Sequence, residues 1–135
     1  MLGAHCLKTW CLTQGAIALS SAEAEYYGMV EGATRGLGIR TMLEELGVQS
    51  SIALITDSSA AKSLGSRRGS GRIRHLETKW LWLQAEVAQG NIRLEKVLVA
   101  GEENPADVLT KYKSGRDIQR LLAKMNIEVV YENTE

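Results

Sequence analysis

Three carboxylates in this sequence stand where an α/β protein tends to keep its chemistry: Glu25, Asp57 and Asp107. Glu25 lies in the opening turns of a long helix predicted to begin at Ser20. Asp57 directly follows a short apolar run, residues 52–56, that reads as a buried strand. Open α/β sheets place their ligands just beyond the carboxyl ends of such strands. Asp107 falls in the first turn of a helix opened by Asn104-Pro105, a cap followed by proline. Carboxylates that converge repel one another unless a divalent cation lies between them, and hard oxygen ligands suit magnesium or manganese. Two such ions about 4 Å apart activate water and stabilise the leaving oxygen at a phosphodiester. Each acid also has a plain structural reading. Glu25 is placed as a solvated charge near the positive end of a helix, Asp57 as the cap of the next helix, and Asp107 as a complement to a helix dipole. No single carboxylate decides between these readings, so the case rests on the set.

The elements that must position them follow from periodicity and punctuation. Residues 5–19 look strand-like: HCLKTWCL, a break at Thr13-Gln14-Gly15 that makes a hairpin or a bulge, then AIAL. Ser20-x-x-Glu23 is a capping-box pattern. Tyr26, Met29, Val30, Ala33, Leu37 and Leu43 then recur at helical spacing, with Gly47 as the stop after Leu46. Gly28, Gly32 and Gly36 line one stripe of that helix. Each costs about 1 kcal/mol relative to alanine, which predicts close approach of a neighbour, a sheet. A short helix is expected over 58–64, a Gly/Ser/Arg-rich loop over 65–74, and a second long helix over 76–89. That helix has Leu76, Trp80, Leu83 and Val87 on one face and stops at Gly90. A strand over 92–99, a helix from Asn104, a last helix over 116–125, and a short strand or tail at 127–131 complete the chain. Strands alternating with helices imply one α/β domain spanning 1–135, with 126–135 as its tail, built as a mixed sheet flanked by helices.

Composition sets the outer limits. At 135 residues and 44% hydrophobic content a packed core is possible, filled mainly by Leu, Ile, Val and Ala because there are three Trp, four Tyr and no Phe. Formal charge is zero, so only a local patch can speak for nucleic acid. Cys6 and Cys11 are too few for a disulfide framework, and with two distant histidines they make no zinc site. Reduced thiols in an intracellular, cytoplasmic protein are the expectation. No apolar run approaches the ~20 residues of a membrane span. The first residues, MLGAHCLKTWCLTQ, have neither the charged start nor the apolar core of a signal peptide. Their abrupt apolar opening suggests a piece of something longer.

Four blocks carry a resemblance. ALSSAEAEYYGMVEGA resembles the strand-to-helix motif of ribonuclease H domains of copia-type LTR retrotransposon Pol polyproteins. LITDSSAAKSL is similar to that family's next signature, a strand, an Asp-Ser and a small-residue helix. RHLETKWLWLQAEVAQGNIRLEKV resembles its basic-His helix and following strand, and ENPADVLTK its closing ADxxTK motif. The blocks stand in the family's order over roughly residues 5–125, and AEAEY together with ADxxTK is specific. The resemblance implies a ribonuclease H-like fold in which Glu25, Asp57 and Asp107 are catalytic metal ligands. Glu25 is preferred to Glu23 because the family's ligand immediately precedes the aromatic or aliphatic residue, here Tyr26, and because Glu23 has capping work to do. The implied activity is hydrolysis of the RNA strand of an RNA–DNA hybrid, using two magnesium or manganese ions. The implied partners are the hybrid and the upstream reverse transcriptase segment of the same polyprotein, within a virus-like particle.

The sequence departs from the family in one place that matters. The family's first ligand is an Asp on a central strand upstream of the first block, and residues 1–22 contain neither Asp nor Glu. The expectation is a domain lacking that strand, catalytically weak or dead as it stands, with an open edge that invites a strand-swapped homodimer. The loop 100–103 also lacks the His that many ribonucleases H keep near the last Asp. His75 reads as a cap of its helix or a phosphate contact, and equally as an ordinary surface histidine. From Lys62 to Lys79 the chain carries Lys62, Arg67, Arg68, Arg72, Arg74 and Lys79 against the single acid Glu77. Phosphate backbones reward such a run through counterion release, by shape and charge without base readout. A solvated connector is its plain alternative. Rival readings of the whole chain are a non-catalytic nucleic-acid-binding remnant and another nuclease of the same fold, such as an integrase core.

Overall fold

A computed structural model describes residues 1–15, 17–69, 81–97, 104–109 and 111–128. They group into two units, one formed by residues 14–98 and the other by 1–13 with 99–135.

The larger unit opens with α1, Ser21–Glu45. Its start is set by local chemistry. Ser20 is extended, and its hydroxyl accepts the Glu23 N–H at 3.2 Å. The Glu23 carboxylate reaches back to accept the Leu19 N–H at 2.9 Å. The box is thus closed one residue earlier than the Ser20 N–H that the pattern predicts. At the other end Gly47 takes φ +79°, and the Val48 N–H donates to Leu43 O at 2.8 Å, so the last carbonyls find partners. Strand β1, Ile52–Thr56, has the predicted bounds. Helix α2 is Ser59–Ser66, capped by the Ser58 hydroxyl, which accepts the Ala61 N–H at 3.1 Å. Helix α3, Trp82–Ala88, ends before Gly90, where φ is +79°. Strand β2, Ile92–Lys96, runs parallel to β1 with Ile52 opposite Ile92 and Thr56 opposite Lys96.

The core of this unit joins Tyr26, Tyr27, Met29, Val30 and Ala33 of α1 to Ala61 and Leu64 of α2, Leu83 of α3 and Ile92 of β2. Side chains of this size each contribute about 1.5–3 kcal/mol when fully buried. The glycine stripe behaves as expected at two of its three positions. A Cβ on Gly32 would lie 3.3 Å from the Leu54 side chain and one on Gly36 3.5 Å from Ile52, whereas Gly28 has open space. A closer approach occurs at Gly65, where α2 meets β2 and a Cβ would fall 2.7 Å from Leu94 Cδ1.

The smaller unit contains a short 3-10 helix, Pro105–Leu109, and α4, Gly115–Lys124. Ser114 caps α4, accepting the Asp117 N–H at 3.2 Å and donating to the Asp117 carboxylate at 2.6 Å. That hydroxyl, helped by Arg120 and Lys113, holds the Asp117 carboxyl below its ordinary range. Leu121 is fully buried, and beyond the helix Met125 accepts the Cys6 N–H at 3.1 Å.

Several expectations are corrected. Among the described residues of 5–19 no strand forms, and the only pairing nearby is an isolated Leu2–His5 bridge. Alternation alone makes no strand; a ladder partner does, and without one Leu7, Leu12, Ile17 and Leu19 stay exposed. The predicted mixed sheet is, among the described residues, a parallel pair of strands, set in a mixed α/β arrangement. The Asn104-Pro105 start yields a 3-10 helix instead of an α-helix. The loop expected from 65 begins later, since Gly65 and Ser66 close α2. Of the second long helix only its C-terminal part is described, with Leu83 buried and Val87 half-buried as predicted; Leu76 and Trp80 lie outside the described residues. So do residues 98–99 of the predicted strand 92–99 and residues 129–131 of the tail, while 127–128 form no strand.

Candidate functional site

Helix α1 presents two acids in its first turns, and their environments differ. Glu23 shares the buried stripe with Tyr26, Tyr27 and Val30 and is 2% exposed. Its carboxylate accepts the Tyr27 phenol at 2.7 Å as well as the Leu19 N–H. Glu25 lies on the exposed face. The reason is the helical period: residues 23, 26, 27 and 30 follow one side, and a residue two after Glu23 is turned away from it. In the core of the larger unit, burial pushes the Tyr26 phenol up to about 12, partly offset by the Arg67 guanidinium.

Asp57 sits just past the carboxyl end of β1 and is exposed. The capping reading does not describe it, because Ser58 caps α2 while its own N–H donates to Thr56 Oγ1 at 3.1 Å. Asp107 is held in a different way. Its N–H donates to Asn104 O at 2.9 Å, and its carboxylate meets Lys111 Nζ at 2.8 Å and Lys113 Nζ at 3.6 Å. Its side chain is 14% exposed. Complementing a dipole is therefore a minor part of what this carboxylate does, since two ammonium groups share it.

Of the basic run, Lys62 is half-buried on α2, Arg67 is half-buried just after it, and Arg68 is exposed. Arg72, Arg74, His75 and Lys79 lie outside the described residues, as does the loop 100–103. Sequence reasoning missed Gln84, which joins this segment to α3 and whose place between Leu83 and Ala85 in an amphipathic pattern carries no signal. It gave Glu23 its capping role but not its burial, for which the stripe of Tyr26, Met29, Val30 and Ala33 extended by one turn is the signal. Among the described residues no three or more His, Cys, Asp or Glu are gathered closely enough to hold a metal ion. Cys6 and Cys11 are free thiols.

These features define a mixed α/β protein with one acid at a strand end and others at helix starts. Over 100 residues the chain is 31% identical to the retrovirus-related Pol polyprotein from transposon TNT 1-94 of Nicotiana tabacum, a match covering 73% of this chain. The chain is thus similar to a stretch of a retrotransposon Pol polyprotein, and that stretch is 7% of the relative's length. No family model matches the chain, and no solved structure does.

Proposed function

We propose that the chain is a ribonuclease H-type segment of a retrotransposon Pol polyprotein, and that its own task is to engage RNA–DNA hybrids. The observation that carries the reading is Asp57: an exposed acid just past the carboxyl end of a parallel strand. The similarity to a Pol polyprotein and the basic run from Lys62 support it. In the intact polyprotein such a segment would hydrolyse the RNA strand with magnesium or manganese, for which Glu25, Asp57 and Asp107 are the candidate ligands. On α1 the buried face belongs to Glu23, and Glu25 is the solvated member of the pair. The 135-residue chain by itself binds the hybrid through the charge of its basic run and cuts it weakly or not at all.

The test is a labelled RNA–DNA hybrid incubated with the purified chain and magnesium, beside an Asp57→Asn control. Binding should weaken as salt rises, because each phosphate neutralised releases counterions. Cleavage should stay near background. Cleavage at enzyme-like rates that vanishes in Asp57→Asn would show an assembled site and overturn the weak-or-inactive part. Binding indifferent to salt would remove the electrostatic part.

A further inference from the structure

Gln84 is an amide enclosed by the protein, with each polar atom answered by main chain. It is 6% exposed. Its Oε1 accepts the Gly69 N–H at 2.7 Å, and its Nε2 donates to Gly69 O at 3.1 Å and to Leu64 O at 2.8 Å. The two bonds to Gly69 are those a neighbouring strand would make, supplied here by one side chain. The third takes a carbonyl from the last turn of α2, a group the helix itself leaves without a partner. Gly69 holds φ +77°, a conformation that favours glycine, so the chain turns at the clamp. The segment Arg67-Arg68-Gly69 is thereby tied to α3. Arg68 stands exposed on the rim of an open depression of about 400 Å³ along that helix.

We propose that Gln84 is a positioning residue that holds Arg68, the exposed leading arginine of the basic run, in place for the sugar–phosphate backbone of an RNA–DNA hybrid. The inference rests on the hybrid-binding reading above. Ordering a loop on binding costs free energy, and a loop ordered in advance does not lose it a second time. Gln84 therefore strengthens binding without touching the ligand.

A positioning residue and a charge contact leave different marks on the salt dependence. The slope of log affinity against log salt counts neutralised phosphates, so Arg68→Ala should lower it by about 1. Gln84→Leu should weaken binding about tenfold at every salt and leave the slope unchanged, a loss of the size expected for freeing one or two rotamer-rich side chains.

The experiment measures anisotropy of a labelled RNA–DNA hybrid over a salt series for wild type, Gln84→Leu and Arg68→Ala. Amide hydrogen exchange at Gly69 is followed alongside. Gln84→Met, unbranched and close in length, replaces the leucine variant if that one does not fold. The expected result is a protected Gly69 amide in wild type, its protection lost in the Gln84 variant, and parallel salt lines offset about tenfold. A Gln84 variant that binds as tightly as wild type, or a Gly69 amide exchanging like an open loop in wild type, overturns the proposal. A wild-type chain that binds no hybrid, with Gly69 protected, overturns the hybrid reading and the positioning role with it, while the clamp itself stands.

Discussion

The opening turn of α1 and the 3-10 turn at Pro105–Leu109 each present a motif acid, and they hold it by opposite means. Glu23 is 2% exposed and takes its hydrogen bonds from a main-chain N–H and a phenol. Asp107 is answered by the ammonium groups of Lys111 and Lys113, and Lys111 is itself 55% exposed. The first arrangement is part of the fold. It closes a helix cap, rests on a core, and leaves buried donors behind if the acid is removed. The second rests on ion pairs, and the one to the exposed Lys111 is open to screening by salt. Acids from two motifs that look alike in sequence therefore differ in what they contribute to stability.

The largest effect should come from the core beneath the first turn. Leu83→Ala removes a fully buried side chain of α3 from the cluster containing Tyr26 and Tyr27, and should cost about 2–5 kcal/mol in a denaturant titration. A loss under about 1 kcal/mol would mean the core closes around the gap and the first turn does not depend on it. Next comes the contrast within α1. Glu23→Ala leaves the Leu19 N–H and the Tyr27 hydroxyl without this acceptor and should cost about 1–3 kcal/mol. Glu25→Gln, on the exposed face, should stay within about 0.5 kcal/mol. Equal effects of the two changes would break the comparison.

The buried phenol of Tyr26 supplies a pH signature. Tyr26 is fully buried and its phenol is pushed up to about 12, above the ordinary value of 10.0. The unfolded chain therefore releases this proton first as pH rises. The stability it contributes is whole below pH 10 and is lost between pH 10 and about 12, amounting to roughly 3 kcal/mol. Thermal melts across that window should show the loss in wild type and a smaller one in Tyr26→Phe. An identical alkaline slope in both would remove Tyr26 as its source. The smallest effect belongs to the surface pair. Lys111→Met should cost about 0–1 kcal/mol at low salt and nothing measurable at high salt. A larger, salt-independent loss would place Asp107 with Glu23 as an acid built into the fold.

Where the signal was local, the sequence by itself determined the outcome. Serine caps at Ser20, Ser58 and Ser114, glycines at Gly47 and Gly90, and an apolar run bounded by polar residues at 52–56 each depend on a few neighbours. Hydrogen bonds within one turn and the sterics of a positive φ belong to the local chain, so these boundaries hold wherever the segment packs. Tertiary structure alone decided the rest. The strand-like composition of 5–19 is not enough, since a strand needs a partner's ladder and none forms among the described residues. Glu23 is enclosed beside Tyr27 while Glu25 stays exposed, although Gly32 and Gly36 on Glu25's own side of α1 are the positions that meet β1. Gln84 found Gly69 fifteen residues away, and Leu83 joined the cluster of Tyr26 and Tyr27. Each of those results turns on which groups meet in space and which are left without water, and a list of residue types holds neither quantity.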